Sequence, residues 1–479
     1  MGNFEPGQAI EGAYDPEAFR EIGHRLVDHV ADYMKSARAR EMPVLDMPPA
    51  DEMLADWPSE FPPQGDGQVV ERLKRFIEQA NHLHNPGFVG HQVSAPLPAA
   101  ILCDMVGSLL NNGMAVYEMG PAQTMAELHV VQFLAERIGF SGDAGGILTH
   151  GGSLGNLTAL LAARQAKAGE DVWQAGQEQS YAVLASAENH YCVSRAVRIM
   201  GWGEGGIESV PVDSNFRMRP ECLAEAKRAA EARGRQVLAV VASDCTTSTG
   251  SFDPIDAVAD FCELHDLWLH VDAAHGGSAL MHDEHRGLLK GIQRADSVVW
   301  DLHKMMLMPA LITGVIFKEN RRSYEAFAQE ASYLFEGDDP EKEWFNVGSR
   351  TMECTKRALG TTAYVLLQAL GTDLFGQYFD RAVRLTRAFA DLVRGSADFE
   401  LGLDPACNIV CFRYMGGYGS DRDAQQMRLR AQVLKAGNFY IVQTRLDGQV
   451  FLRLTLIQPF TTLQMLRDLL DEIRSFGEA

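Results

Sequence analysis

Positive charge is what this 479-residue chain is shortest of: 43 Lys and Arg stand against 64 Asp and Glu, a formal net charge of −21. Binding to nucleic acid or to an anionic membrane depends on a basic face that releases counterions, and this composition does not supply one. A small molecule is the expected partner. Cysteine is also sparse, with eight residues, no C-x-x-C, and only Cys407 and Cys411 close together in sequence. That excludes a disulfide framework and predicts reduced core thiols in a cytoplasmic protein. Long apolar runs are missing as well, because the longest, Met305 to Phe317, is broken by Pro309 and is too short to cross a bilayer. The first residues, MGNFEPGQAIEGAYDPEAF, are acidic and lack the apolar stretch of a secretory signal. Internal repeats and low-complexity tracts are absent too.

What the chain does have is apolar content, 46% of residues, enough for a large core divided among two or three domains. Asp15-Pro16-Glu17 is a helix start, with Asp as capping acceptor and Pro in the first turn; Phe19, Ile22, Leu26, Val30 and Tyr33 then mark one apolar face of a helix to about Ala39. Residues 43–63 carry six prolines and predict an extended connector, after which Val70, Leu73, Ile77 and Ala80 restore helical spacing. From about 90 to 320, the runs YAVLAS (181–186), IESVPV (207–212), VLAVVA (237–242), LWLHVD (267–272), SVVW (297–300) and GVIF (314–317) alternate with amphipathic stretches such as 157–167 and 220–233. This pattern predicts an α/β core with a largely parallel sheet and crossover helices. Beyond Glu353, a long helical pattern and the strand-like CNIVCFRY and QVFLRLTL predict a smaller α+β domain.

Several motifs bear on chemistry. GILTHGGSLGNL (146–157) holds G-x-S-x-G, the pattern of a serine-hydrolase nucleophile elbow, but a glycine-rich turn opening a helix equally suits a phosphate. GWGEGG (201–206) follows a helix and precedes a strand, the reverse of a dinucleotide fingerprint, and reads as a plain turn. His282-Asp283-Glu284-His285 lacks the i, i+4 histidine spacing of a helical zinc site and reads as a solvated loop. Asp272 ends a buried strand, where open α/β sheets bind ligands, and a buried acid there needs a cationic partner. Lys304, after SVVW and amid apolar sequence, is expected to have a depressed pKa and to act as an amine nucleophile toward a carbonyl. Gly152 and Ser153 place backbone amides and a hydroxyl at a helix start, which favours a dianion. Pyridoxal phosphate matches all three, with an aldehyde for a lysine, a ring nitrogen for a carboxylate and a phosphate for the turn.

The segments HNPGFVGHQVSAP (84–96), GILTHGGSLGNLTALLAAR (146–164), SAENHYCVSRA (186–196), TTSTGSFDPI (246–255), WLHVDAAHGGSAL (268–280), DLHK (301–304) and FLRLTLIQPFTT (451–462) together resemble the group II pyridoxal-phosphate-dependent amino-acid decarboxylases. The resemblance runs from about residue 15 to the C-terminus. It implies the fold of the aspartate aminotransferases (fold type I) and a homodimer with its active site at the subunit interface. The implied divisions are a helical arm over 1–88 packed on the partner subunit, a large cofactor-binding domain over 89–365 and a small domain over 366–479. Lys304 is the implied Schiff-base lysine and Asp272 the partner of the pyridine nitrogen. Gly152, Ser153 and His303 are implied phosphate contacts, His190 and Ala274 flank the ring, and Thr247 lies near the ring and the substrate carboxylate. Tyr333, 29 residues beyond Lys304, is the implied acid that protonates Cα with the help of His190.

Departures from the family pattern narrow the expectations. Asp301 stands where many relatives have an asparagine that donates to phosphate; an ionised carboxylate only accepts and repels a dianion, so Asp301 is left out of the phosphate set. The C-terminal FLRLTLIQPFTT resembles the glutamate, cysteine-sulfinate and diaminobutyrate branches more than the aromatic one, with Arg453 a candidate for a substrate carboxylate or, alternatively, for an inter-domain salt bridge. Gly87, Phe88, Val89, His91 and Gln92 are expected at the side-chain pocket. Acidic or small polar substrates come first and aromatic ones second; an aldehyde-forming oxidative decarboxylase and a transaminase are the alternatives on the same cofactor. A serine hydrolase using Ser153, Asp272 and His303 leaves Lys304 without a role.

Overall fold

The capping signal at Asp15 is realised: its Oδ1 accepts the Glu17 amide at 3.0 Å, Pro16 occupies the first turn, and the helix spans Pro16–Arg38. The computed structural model describes residues 7–327, 344–417 and 421–478. The proline-rich connector departs from expectation in containing a short helix, Ala50–Asp56. Its residues lie between Pro49 and Pro58, and a proline-free stretch that begins directly after a proline is free to coil. A further amphipathic helix, Val69–Glu78, completes the arm.

The six apolar runs become strands of one sheet, joined by a seventh from GGILT. In chain order they are β1 (Gly145–Thr149), β2 (Ser180–Ser186), β3 (Ile207–Val210), β4 (Arg235–Ser243), β5 (Trp268–Asp272), β6 (Ser297–Asp301) and β7 (Thr313–Phe317). Their order across the sheet is β1-β7-β6-β5-β4-β2-β3. Only β7 runs against the rest, antiparallel to both β1 and β6. The 302–312 link before it is shorter than the dozen or so residues a parallel crossover needs, so the chain returns as a hairpin-like strand. Helices cover both faces, which is why β1, β5, β6 and β7 are buried along their whole length and read as continuous apolar runs.

A second, antiparallel sheet is built from β8 (Phe399–Leu401), β9 (Ile409–Tyr414), β10 (Val442–Leu446) and β11 (Gln449–Thr455) in the order β10-β11-β9-β8. Its core, including Phe389, Phe412, Leu452 and Leu466, is separate from those of the large sheet and also takes in Val89. Residues 87–89 hook onto this unit: Val89 N donates to Tyr440 O at 3.1 Å, Tyr440 N donates to Gly87 O at 3.0 Å, and the Phe88 ring stacks on Tyr440 at 5.2 Å. Ahead of the β1 turn, a fully buried Lys356–Glu127 ion pair clamps Leu148: its amide donates to Glu127 at 3.0 Å and its carbonyl accepts from Lys356 at 2.6 Å. No helix among the described residues is long and apolar enough to cross a membrane.

Candidate active site

Strands β1, β4, β5 and β6 run in the same direction, so their C-terminal ends meet along one edge of the sheet. After β1 the chain turns at Gly151, whose φ of 96° is the left-handed region that glycine adopts without a steric cost, and enters the helix Gly152–Lys167. A Cβ on Gly152 would lie 3.1 Å from Asp301 Oδ1, so this position is closed to larger residues without movement. The hydroxyl of Ser153 is exposed and bonds to no described residue, and no histidine lies within hydrogen-bond reach of it among those residues. A nucleophile elbow requires that histidine; an anion-binding turn does not.

Asp272 at the end of β5 is buried, with the Ala274 amide on Oδ1 at 3.1 Å and Asn156 Nδ2 on Oδ2 at 3.2 Å. Asn156 also donates to the Gly152 carbonyl at 2.8 Å, so it ties the anion turn to this carboxylate. Because Nδ2 donates, Oδ1 accepts, and its donor is His270 Nε2 at 2.8 Å. His270 Nδ1 is then free to accept from the Ser297 hydroxyl at 2.8 Å, and Ser297 accepts from Trp268 Nε1 at 2.9 Å. Every proton in this chain points toward Asp272. Burial brings His270 down to about 4, so it is neutral at ordinary pH and acts as a dipole. Burial also pushes Asp272 above the usual carboxylate range, against the pull of Lys304 and His190.

Lys304 differs from expectation. Burial alone lowers an ammonium, but Asp301 and Asp272 outweigh it and hold Lys304 above its ordinary value. Its Nζ lies 2.9 Å from Asp301 Oδ2, and Thr313 Oγ1 donates to Asp301 Oδ1. Burial would raise Asp301, but Lys304 and His303 bring it below the usual range, so it is ionised. His303 Nε2 stands 3.7 Å from the same carboxylate. Asp301 therefore serves as counter-ion to the lysine and lies against the anion turn as an acceptor, as its charge dictated.

The remaining walls come from more distant segments. His190 caps the helix Tyr191–Ile199, with Nδ1 accepting the Cys192 amide at 3.3 Å, and burial lowers its pKa so that the ring is neutral. Gly152, Ser153, His190, Thr247, Asp272, Ala274, His303 and Lys304 all line one cavity of about 280 Å³. Tyr333 lies outside the described residues. Of the five residues expected at the side-chain pocket, Gln92 lines the cavity; Gly87, Phe88 and Val89 instead make the hook onto the small unit, and His91 packs on Tyr440. Asn156, Asp244, Cys245 and His275 also line the cavity and were not anticipated from sequence.

These residues fit pyridoxal phosphate. The free Ser153 hydroxyl and the open helix start suit its phosphate, the strand-end Lys304 suits its aldehyde, and Asp272, buried without an ion pair among the described residues, lacks the cation that a protonated ring nitrogen would supply. Fold and site together define an α/β enzyme built for this cofactor. Residues 50–415 match the pyridoxal-dependent decarboxylase conserved domain, and the chain belongs to that family of pyridoxal-phosphate-dependent amino-acid decarboxylases. It is similar to L-2,4-diaminobutyrate decarboxylase of Rhizobium meliloti, at 31% identity over 407 residues, covering 85% of this chain and 80% of that protein. Cysteine sulfinic acid decarboxylase of Mus musculus is 29% identical, covering 100% of each chain. The crystal structure of mouse CSAD has a TM-score of 0.90 at 27% identity, covering 97% of this chain and 99% of that one.

Proposed function

We propose that this decarboxylase removes the α-carboxylate of an L-amino acid whose side chain is acidic or small and polar. The observation that carries this reading is Arg453 on β11. Its guanidinium is buried, donates to the carbonyl of the cavity residue Thr247, and has no carboxylate within ion-pair distance among the described residues. Burial pulls its pKa down, the mark of a cation short of a counter-charge. The α-carboxylate loses its charge as carbon dioxide forms, so an arginine on it would stabilise the ground state more than the transition state. Arg453 suits instead a second acidic group that the reaction leaves unchanged. It would repel a cationic side chain such as that of 2,4-diaminobutyrate.

When bound, pyridoxal phosphate supplies an aldehyde for amines and a ring that accepts the electron pair left behind by carbon dioxide. The chain's own groups divide the remaining work. Gly152, Ser153 and His303 would hold the phosphate, His190 and Ala274 would bound the ring, and Thr247 would stand near the substrate carboxylate. Asp272, fed by its line of donors, keeps a proton on the ring nitrogen, an electrostatic contribution of the kind that dominates many enzymes. Lys304 would hold the cofactor through its aldehyde and would give up that place to the substrate amine. Tyr333, assisted by neutral His190, returns the proton to Cα, which makes the amine rather than an aldehyde the product. We assign the assembly as a homodimer, with Leu102, Met105 and Leu109 exposed on the helix Pro98–Leu110 as part of the surface a second copy would cover.

A panel of amino acids scored for carbon dioxide and amine tests this reading. Acidic substrates should be turned over, and Arg453→Met should raise their KM by about 10–100-fold. Turnover of 2,4-diaminobutyrate or aromatic amino acids without any of the acidic ones overturns the substrate class. Borohydride reduction should place the cofactor label on Lys304, and light scattering should report the dimer mass.

A further inference from the structure

A group of metal-ligating side chains that the reaction does not use borders the cavity on the β4 side. Cys245 follows β4 with φ of 63°, a left-handed conformation that non-glycine residues rarely adopt. Its Sγ lies 3.3 Å from that of Cys407, 162 residues away in sequence and just ahead of β9. A ring nitrogen of His275 joins them, and the three ligand atoms all lie within 4.8 Å of one another. All three residues are buried.

The histidine is already set in the tautomer a metal requires. Asn408 turns Nδ2 toward Met305 Sδ at 3.2 Å, so its Oδ1 accepts, and His275 Nε2 lies 2.8 Å from that oxygen. The ring proton is therefore on Nε2, directed at the same oxygen that accepts the Cys407 thiol at 2.9 Å, and the lone pair is on Nδ1. That Nδ1 makes no hydrogen bond to any described residue, although it is buried. Next to Cys245 in sequence, both carboxylate oxygens of buried Asp244 also lack partners among the described residues. Two thiols in contact, a histidine whose Nδ1 has no partner among the described residues and, one residue before Cys245, a buried carboxylate in the same condition are thus gathered beside the cavity. A cation held by the two sulfurs and the histidine would place positive charge in this unsatisfied polar region.

We propose that Cys245, Cys407 and His275 form a zinc(II) site, with the fourth position left to water or to a ligand entering from the cavity. Two Cys and one His are a known zinc ligand set with an open position. Both thiols lose their protons on binding, so the two thiolates neutralise the ion and no oxidant or reductant is needed. Asn408 supplies the outer hydrogen bond that orients a ligating histidine. The ion would join the end of β4 in the large sheet to the start of β9 in the small one, next to the cofactor cavity. The other candidate cluster, His282, Glu284, His285 and Asp380, is already served by a cation, because Arg384 pairs with Asp380 at 2.8 Å and Glu284 at 3.8 Å.

Holoenzyme freed of excess cofactor, stripped with a chelator and titrated with zinc chloride should bind one ion per chain, read by elemental analysis. Cobalt(II) should replace it with the red-region absorption of a tetrahedral thiolate site. Cys407→Ser should weaken zinc binding at least tenfold. Cys245→Gly, which removes the thiol and relieves the left-handed backbone, guards against a folding defect and should do the same. His282→Gln should bind as the parent does. The proposal is overturned if Cys245→Gly binds zinc as tightly as the parent, if His282→Gln abolishes binding, or if the protein purified in air contains a Cys245–Cys407 disulfide and takes no zinc after reduction.

Discussion

Asp272 closes β5 and Asp244 follows the neighbouring β4, with the Asp244 amide donating to the Asp272 carbonyl at 2.9 Å; the two side chains are 8% and 2% exposed. Burial lifts both above the usual carboxylate range. Their surroundings differ completely. Asp272 takes two donors, one of them at the head of a chain running back through Asn156, His270 and Ser297, whereas neither oxygen of Asp244 has a partner among the described residues. The first is arranged to carry a negative charge when a cation arrives, and the second can only be neutral or wait for one. Burial alone therefore does not make a functional acid; the donors around it do.

The largest effect should come from removing the wired carboxylate. Asp272→Ala should lower kcat by about 10²–10³-fold, the scale of losing one electrostatic stabiliser, while borohydride still traps the cofactor on Lys304. Retained kcat would place the electron sink elsewhere and dissolve the contrast with Asp244. Next comes the neutral histidine behind it. His270 titrates near 6.5 when unfolded and at about 4 when folded, so the folded chain binds fewer protons between these values. Stability from this group is present above pH 6.5 and is lost as pH falls toward 4, by about 3 kcal/mol. His270→Gln keeps a donor and an acceptor but no titration, and in acid-denaturation curves of the apoprotein it should lose less stability over that window than the parent. Parallel curves would show that the donor chain does not run in the direction drawn here.

The strands and two of the charged residues that line the cavity were legible in sequence for physical reasons. Strands buried on both faces must be apolar throughout, so six of the seven stood out as runs, and Asp272 and Lys304 stood out as charges at the ends of such runs. Asn156 and His270 were not legible as a pair, because their partnership spans 114 residues and exists only once helix and strand pack. The available signals were a histidine inside LWLHVD and a polar residue beside Leu157 on an otherwise buried helix face. Lys304 was read in the wrong direction because an apolar sequence gives no sign that Asp301, three residues earlier, turns its carboxylate onto the amine. Gly87–Val89 look like pocket residues in sequence, but their partner, Tyr440, lies far along the chain.

A smaller effect tests the link between the wire and the carboxylate. Asn156→Leu deletes a hydrogen bond to a charged group, a contribution of about 1.5–3 kcal/mol, and should lower kcat by roughly 10–100-fold with little change in substrate KM. A rise in KM without a fall in kcat would mean that Asn156 shapes the anion turn through Gly152 rather than Asp272.

The smallest effect, and of opposite sign, belongs to Asp244. A buried polar group without a partner costs about 1–3 kcal/mol, and an apolar side chain of similar size removes that cost. In chelator-treated apoprotein, Asp244→Leu should therefore raise the midpoint of thermal unfolding by a few degrees, whereas the matched substitution Asp272→Leu should gain less because it strands the Asn156 donor. If zinc occupies the adjacent thiols, the gain from Asp244→Leu should shrink or reverse in the metal-loaded protein, since the carboxylate then faces a cation. An Asp244→Leu variant less stable than the parent in the metal-free state would show that the carboxyl group has a partner after all, and the two acids would no longer differ in kind.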